Sequence, residues 1–278
     1  MQKVAVIALG EVGSAIYEII KDSGKYELYG YDVDPQKTKN KLEEIPEGID
    51  FMHIAVPFKD KKSFVGIVTK YFERLKPKYV IIHSSVAPGT TRMVQKNISV
   101  PVAYSPVRGK HPNLKRHILL WNKWVSVIPE NSGEEIINHL KSLGLKVKVY
   151  DGKPETLELA KLLETVYRAL LIAWWQEMHR IARHFGADIA TVTEFIAEVN
   201  RVLKDRPIYY PGFIGGHCLI PNTRILLSEY DSDFLKAILK SNELRAKELE
   251  DESIKKEIEK IKEIALEFIN KDYFRGNF

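Results

Sequence analysis

The sequence predicts an α/β domain followed by an all-helical domain with a long central helix. Three observations carry this expectation. Short apolar runs recur up to residue 150, each closed by glycine, proline or small polar residues. Buried strands of a parallel sheet read this way. Helical spacing separates the first runs, giving the order strand, helix, strand. From Glu155 the strands stop, and apolar residues keep helical spacing from Thr156 to Phe185 with no breaker before Gly186. A helix that long, in a chain of 278 residues, serves as an interdomain spine or an oligomer core.

The elements follow in order. Lys3–Leu9 is a β-branched run, read as a buried strand. Gly10, Glu11, Val12 and Gly13 make a turn, and Ser14–Lys21 carries Ile16, Ile19 and Ile20 at helical spacing. Tyr26–Tyr31 reads as the second strand and ends in Asp32. Strand, glycine turn, helix, strand and acid form the context of a Rossmann-type dinucleotide fingerprint. The turn lets a pyrophosphate approach the helix N-terminus, where N–H groups and the dipole favour negative charge. Asp32 would accept hydrogen bonds from a ribose and repel a 2′-phosphate, which argues for NAD over NADP. Two features depart from the fingerprint. Alanine stands at its first glycine, position 8, and Glu11 lies near the phosphate position.

Asp50–Pro57 and Lys78–His83 read as the next core strands. Ligands of doubly wound sheets sit beyond the carboxyl ends of strands. Val56, Pro57 and Ser85, in the loops that follow, are therefore cofactor-side candidates, and Ser85 is also a substrate candidate. For Ser84, Ser85 and Thr90 the competing reading is capping of a helix at Thr91–Lys96. Val100–Ser105 is a further strand. Arg108, Lys110 and His111 follow it, either as an anion site, since an arginine can hold a phosphate or carboxylate bidentately, or as a solvated basic loop. Trp124–Ile128, a helix near Gly133–Leu143 and Lys146–Tyr150 complete the domain, and Asp151-Gly152-Lys153-Pro154 reads as a hinge. The expected division is 1–152 and 153–278.

In the second domain Trp174 and Trp175 read as packing residues. Asp188–Val202, Asp231–Leu249 and Ser253–Asn270 are expected helices, the last peripheral because its apolar stripe is sparse. Between the first two of these lies Pro211–Asn222, which holds the chain's one cysteine, Cys218, behind Gly212, Gly215 and Gly216. A thiol in such a turn is either a nucleophile, since a thiolate needs access and N–H donors, or a small buried hydrophobe.

Composition narrows the function classes. Net charge is +5, and lysines alternate with glutamates in Lys255–Lys262, which reads as a solvated helix face rather than a nucleic-acid site. The mild positive field suits an anionic cofactor and substrate. No stretch approaches the roughly 18 apolar residues of a membrane span, and turn glycines interrupt the start where a signal peptide would continue. One cysteine fits a reducing compartment. The expectation is a cytoplasmic protein with no membrane or nucleic-acid partner and no metal site.

Four segments carry a resemblance to the UDP-glucose/GDP-mannose dehydrogenase family, over roughly residues 3–245. IALGEVG resembles the family's I-G-L-G-Y-V-G start. HSSVAPGTT is similar to its S-T-V-P-P-G-T loop. ELAKLLETVYRA resembles its E-L-x-K-L-x-x-N-x-x-x-A helix, with Glu158 and Lys161. PGFIGGHCLIPN resembles P-G-P-G-V-G-G-H-C-I-P-V-D. The resemblance implies NAD as cofactor and two hydride transfers through one cysteine. Alcohol goes to aldehyde, the thiolate of Cys218 adds, a second hydride leaves, and a thioester is hydrolysed. Lys161 would stabilise the oxyanion, and Ser85 falls where the family has a substrate-contacting threonine. The resemblance further implies a homodimer through the long helix and an anionic sugar or sugar-nucleotide substrate. The catalytic set to carry over is Cys218, Lys161, Asn222 and Thr165, with departures. Val107 stands at the family's glutamate, Thr165 at its asparagine and Asn222 at its aspartate. An amide is no base near neutral pH, and valine is neither acid nor base. The family's third, nucleotide-binding domain is missing from the sequence. Two alternatives follow. One is a two-electron dehydrogenase of the 6-phosphogluconate and 3-hydroxyisobutyrate kind, using Lys161. The other is a non-catalytic binding protein that retains the fold.

Overall fold

The computed structural model describes residues 1–275, and the last three residues of the expected second domain, 276–278, lie outside them. The chain forms two compact units, Met1–Lys161 together with the segment from Asp272, and Leu162–Lys271. The division falls inside the long helix, beyond the 152–153 hinge.

The first unit is an α/β layer structure. Seven strands, β1 (Lys3–Ile7), β2 (Glu27–Tyr31), β3 (Phe51–Ile54), β4 (Tyr79–Ile82), β5 (Val102–Tyr104), β6 (Lys123–Ile128) and β7 (Val147–Val149), form one sheet in the order β2-β1-β3-β4-β5-β6-β7. The first five run parallel. β6 is antiparallel to β5, and β7 runs parallel to β6. Alternation along each strand feeds two faces. Ala5, Ile7, Met52 and Ile54 meet α2 (Lys61–Leu75) and α3 (Thr90–Asn97), while Val4, Val6, Phe51 and Ile81 meet α1 (Glu11–Ser23), α4 (Leu114–Leu120) and α5 (Glu134–Ser142). The fold class read from the sequence holds. Its reading passed over α2, although Asp60 caps that helix by accepting from Ser63 N–H at 2.8 Å, and Phe64, Val65, Val68, Tyr71 and Leu75 give the buried stripe.

The second unit is helical. Its spine is α6 (Pro154–His184), 31 residues long, whose first two turns belong to the first unit. Leu162, Val166, Ala169 and Ala173 pack against α8 (Leu219–Glu229) and α9 (Asp233–Glu248). Further along, Trp175 and Ala182 pack with α7 (Ile189–Leu203) and α10 (Glu252–Ala265). Two expectations are corrected here. α10 is not peripheral, because Ile258, Ile261 and Ala265 are buried. Trp175 packs and donates Nε1–H to Pro207 O at 3.2 Å, but Trp174 is 51% exposed. A short α11 (Lys271–Arg275) begins where the chain re-enters the first unit, and within that unit Tyr273 lies flat on His117, ring centroids 4.0 Å apart.

Candidate functional site

In the first unit the sheet order reverses around β1, whose neighbours are β2 and β3. Ligands of such sheets bind outside the carboxyl ends at this switch. The turn after β1 is built for close approach. Gly13 has no alternative, since a Cβ there would lie 1.7 Å from Ala8 O, whereas a Cβ on Gly10 meets no protein atom within 4 Å. Ala8 adopts φ +69°, a left-handed backbone that costs a non-glycine residue about 1 kcal/mol. The alanine at the first fingerprint position therefore keeps the glycine conformation. Asp32 is fixed over this turn. Its Oδ2 accepts Leu9 N–H at 2.6 Å and its Oδ1 accepts Asp34 N–H at 2.8 Å. Gly10 and Glu11 line a cleft of about 470 Å³ with Ser14, Lys37, His111 and Lys115. Glu11 is the first residue of α1 and shares the cleft lining with Lys37 and Lys115.

Val56 and Pro57 follow β3 at the same edge, and Ser84 Oγ donates to Val56 O at 2.7 Å. Ser85 follows at the end of β4 and is partly buried. The hydroxyls do not cap α3. The cap is Glu158, a buried carboxylate of α6 that accepts Gly89 N–H at 2.6 Å and Thr91 N–H at 2.8 Å. Burial raises the Glu158 pKa, and the Thr91 and Gly89 donors oppose the rise. This bond fixes the start of α6 to the loop after β4. Lys161 lies three residues on along α6, nearly one helical turn.

The basic loop splits. Arg108 donates to Asn122 O at 2.9 Å and lies over the Trp121 ring at 5.2 Å. Lys110 lies over the Phe274 ring at 5.0 Å. His111 instead lines the cleft at the glycine turn. The structure therefore places His111 with the expected cofactor residues and gives Arg108 and Lys110 aromatic partners. Val107 is buried in the core.

In the second unit Cys218 is exposed and is the N-cap of α8. A helix N-terminus favours a thiolate. Gly216 has φ +81°, and no atom lies within 4 Å of where a Cβ would stand; at Gly215 a Cβ would meet only the Phe213 ring at 3.7 Å. The loop ahead of them is clamped. Asn242 accepts Ile214 N–H at 2.7 Å and donates to Ile214 O at 3.1 Å, while Gln176 donates to Gly212 O at 2.8 Å. Asn222, one turn into α8, and Thr165 on α6 are both buried. Lys161 and Cys218 belong to different units.

Sequence reading passed over several polar residues: Asn242 and Gln176, which hold the cysteine loop, and Lys123, His53, His83 and His139, which lie buried in the first unit. Only the histidines left a signal, since His53 and His83 interrupt or close otherwise apolar strand runs. Among the described residues no cluster of histidine, cysteine and acidic side chains could hold a metal ion, and no helix is long and apolar enough to cross a membrane.

Residues 155–244 match the model of the UDP-glucose/GDP-mannose dehydrogenase family, central domain. The UDP-N-acetyl-D-mannosamine dehydrogenase of Methanocaldococcus jannaschii is 25% identical over 78% of this chain and 60% of its own length. That of Pyrococcus horikoshii is 23% identical over 84% of this chain and 65% of its own. The chain thus spans less than two thirds of the length of these relatives. Among solved structures, the UDP-D-ManNAc dehydrogenase from Pyrococcus horikoshii superposes with TM-score 0.74 at 20% identity, covering 87% of this chain and 68% of that one. The 3-hydroxyisobutyrate dehydrogenase of Mycobacterium tuberculosis superposes with TM-score 0.64 at 13% identity, covering 90% and 94%. The family resemblance read from the four motifs is borne out.

Proposed function

We propose that the chain is an NAD-dependent dehydrogenase that oxidises the primary alcohol of an anionic sugar or sugar nucleotide through Cys218. The observation that carries this reading is the state of Cys218, an exposed thiol at the N-terminus of α8 behind a clamped glycine loop. The named activity of the relatives supports the substrate class. When bound, NAD would supply the hydride acceptor, one molecule for each of the two oxidations. The Cys218 thiolate would add to the aldehyde carbon, and loss of hydride and of the hydroxyl proton from that adduct would leave a thioester that water cleaves to the acid and the free thiol. Lys161 is assigned to the oxyanion, where a fixed cation in a dry cleft is effective. Asp32 holds the adenosine ribose, and Gly10, Glu11, Val12 and Gly13 the pyrophosphate. Val56, Pro57 and Ser85 flank the nicotinamide side. Arg108, Lys110, His111, Gly215 and Gly216 are assigned to the substrate.

Neither Val107 nor Asn222 supplies a carboxylate base, so thioester hydrolysis is expected to be slow and an acyl-enzyme to accumulate. The same two residues favour a second reading, a two-electron dehydrogenase in which Lys161 does acid–base work and Cys218 is incidental. A homodimer is part of the first reading. Leu163, Tyr167, Trp174, Ile181 and Phe185 form an exposed apolar stripe along α6, and light scattering at micromolar concentration tests it. A thermal-shift panel of NAD, NADP, sugar nucleotides and sugar phosphates tests the ligand classes, because a ligand that binds only the folded state raises the midpoint. No shift with any dinucleotide would defeat both enzymatic readings.

A further inference from the structure

The first unit contains a chain of four buried basic side chains that the proposed reaction does not use. His83 follows β4, at the ligand edge, and its Nδ1 lies 2.8 Å from Ser105 O. A carbonyl only accepts, so that nitrogen carries a proton and Nε2 carries a lone pair. Nε2 faces His53 Nδ1 at 2.9 Å, which must therefore donate. His53 Nε2 is then an acceptor, and it faces His139 Nε2 at 2.9 Å. The proton of His139 is thus on Nε2, leaving Nδ1 as a buried lone pair with no partner among the described residues. One carbonyl sets all three tautomers, and every donor points from His139 toward His83.

The chain ends on Lys123, the first residue of β6. Because β6 is antiparallel, Lys123 lies at the carboxyl edge of β5. Its Nζ donates to Ser105 O and to Pro106 O, the latter at 3.0 Å, and its third neighbour is His83 Nδ1 at 3.2 Å. That nitrogen already carries a proton, so a hydrogen bond at this contact needs a lone pair on Nζ, which only the neutral amine has. Burial, then Lys161 and then Arg108, push its pKa well below the lysine range. Burial also holds His53 and His83 well below the ordinary histidine value, and His139 down to about 3. The groups that face the far end are Tyr26, edge-on to the His139 ring at 4.8 Å, and Phe51, stacked on it at 4.0 Å. Phe51 begins β3 and Tyr26 precedes β2, so His139 lies toward the amino edge of the sheet.

We propose that His139, His53, His83 and Lys123 form a proton-transfer chain across the sheet, with Lys123 as the amine that exchanges a proton with the ligand edge. A proton bound at His139 Nδ1 releases the Nε2 proton to His53 Nε2. His53 passes its Nδ1 proton to His83 Nε2, and His83 passes its own to the Lys123 lone pair. Each ring makes one N–H bond and breaks one, no electrons are transferred, and Lys123 ends as the ammonium. The proposal rests on the dehydrogenase reading. With these tautomers the chain delivers a proton toward the ligand edge, which hydride transfer to a carbonyl consumes; the proton released in alcohol oxidation runs the same chain in reverse, from the opposite tautomers. Lys123 is buried, so it is a positioning residue.

The test is nuclear magnetic resonance on the unliganded full chain. One lysine Cε resonance is expected in the neutral position at pH 7 and should vanish in Lys123→Met. Nitrogen-15 shifts should report the Nδ1–H tautomer at His53 and His83 and Nε2–H at His139. Every lysine titrating at about 10.4, or one inverted tautomer, would overturn the proposal. His139→Gln guards against a Lys123→Met protein that does not fold. It should slow solvent exchange of the His53 ring proton by roughly tenfold or more and flatten the pH profile of nicotinamide-linked turnover at unchanged KM. Exchange and profile equal to the parent's would also overturn it. The resonance measurements need no substrate, so absent turnover would sink the dehydrogenase reading separately.

Discussion

Two glycine-rich segments of this chain do opposite things. At Ala8–Gly13 the turn is closed by its own backbone. A side chain at Gly13 would run into Ala8 O at 1.7 Å, and the Leu9 N–H is taken by Asp32. At Gly215–Gly216 the space is open. Gly215 has only the Phe213 ring nearby, and Gly216 is set apart by its φ of +81° rather than by crowding. The first segment uses glycine for packing, the second for conformation and access to Cys218. Substitutions should therefore fail for different reasons, and by different amounts.

The largest expected effect is Gly13→Ala. Overpacking against rigid backbone should cost about 3 kcal/mol and remove dinucleotide binding with it. A thermal melt unchanged within error would show that the turn can yield, and would break the contrast. Next is Asp32→Ala. It deletes two charge-assisted bonds to backbone N–H groups, at Leu9 and Asp34, and lifts the repulsion of a 2′-phosphate. NAD affinity should fall by roughly 1.5–3 kcal/mol and the preference over NADP should narrow. Tighter NADP than NAD binding in the parent protein, by calorimetric titration, would refute the assignment.

The same contrast explains what could be read from sequence. The glycine turn, the strands and Asp32 were legible because each rests on local pattern, apolar runs of set length and residues at fixed spacing. The cysteine loop was legible by motif. Its supports were not, because Asn242 and Gln176 come from helices 28 and 36 residues away in sequence, and a buried amide on an amphipathic helix leaves no periodic mark. The cap of α3 was not legible for a related reason. Three hydroxyls stood next to the helix, and the true cap, Glu158, reaches in from 67 residues away. Local sequence gives the donors that need satisfying; tertiary contact decides which acceptor arrives.

Smaller effects sharpen the comparison. Gly216→Ala should cost about 1 kcal/mol for its positive φ, with the melt lowered but cooperative, whereas Gly215→Ala should be within about ±0.5 kcal/mol. Equal losses at the two positions would mean that crowding, not conformation, governs this loop. Ala8→Gly is expected to relieve left-handed strain, offset by the greater freedom of glycine in the unfolded chain, for a net gain of roughly 0.5 kcal/mol. A loss of stability would show that the alanine methyl packs more favourably than its φ of +69° costs.

The role of Cys218 is the central claim, and a single-turnover experiment tests it most directly. The protein is mixed with excess NAD and a sugar-nucleotide alcohol found in the thermal-shift panel. NADH is counted per substrate consumed while the intact protein is weighed by mass spectrometry. The account predicts two NADH per substrate and an acyl adduct on Cys218, with Cys218→Ser forming no acid. One NADH per substrate, an unmodified thiol and full activity in Cys218→Ser would contradict it and leave Lys161 as the residue to pursue.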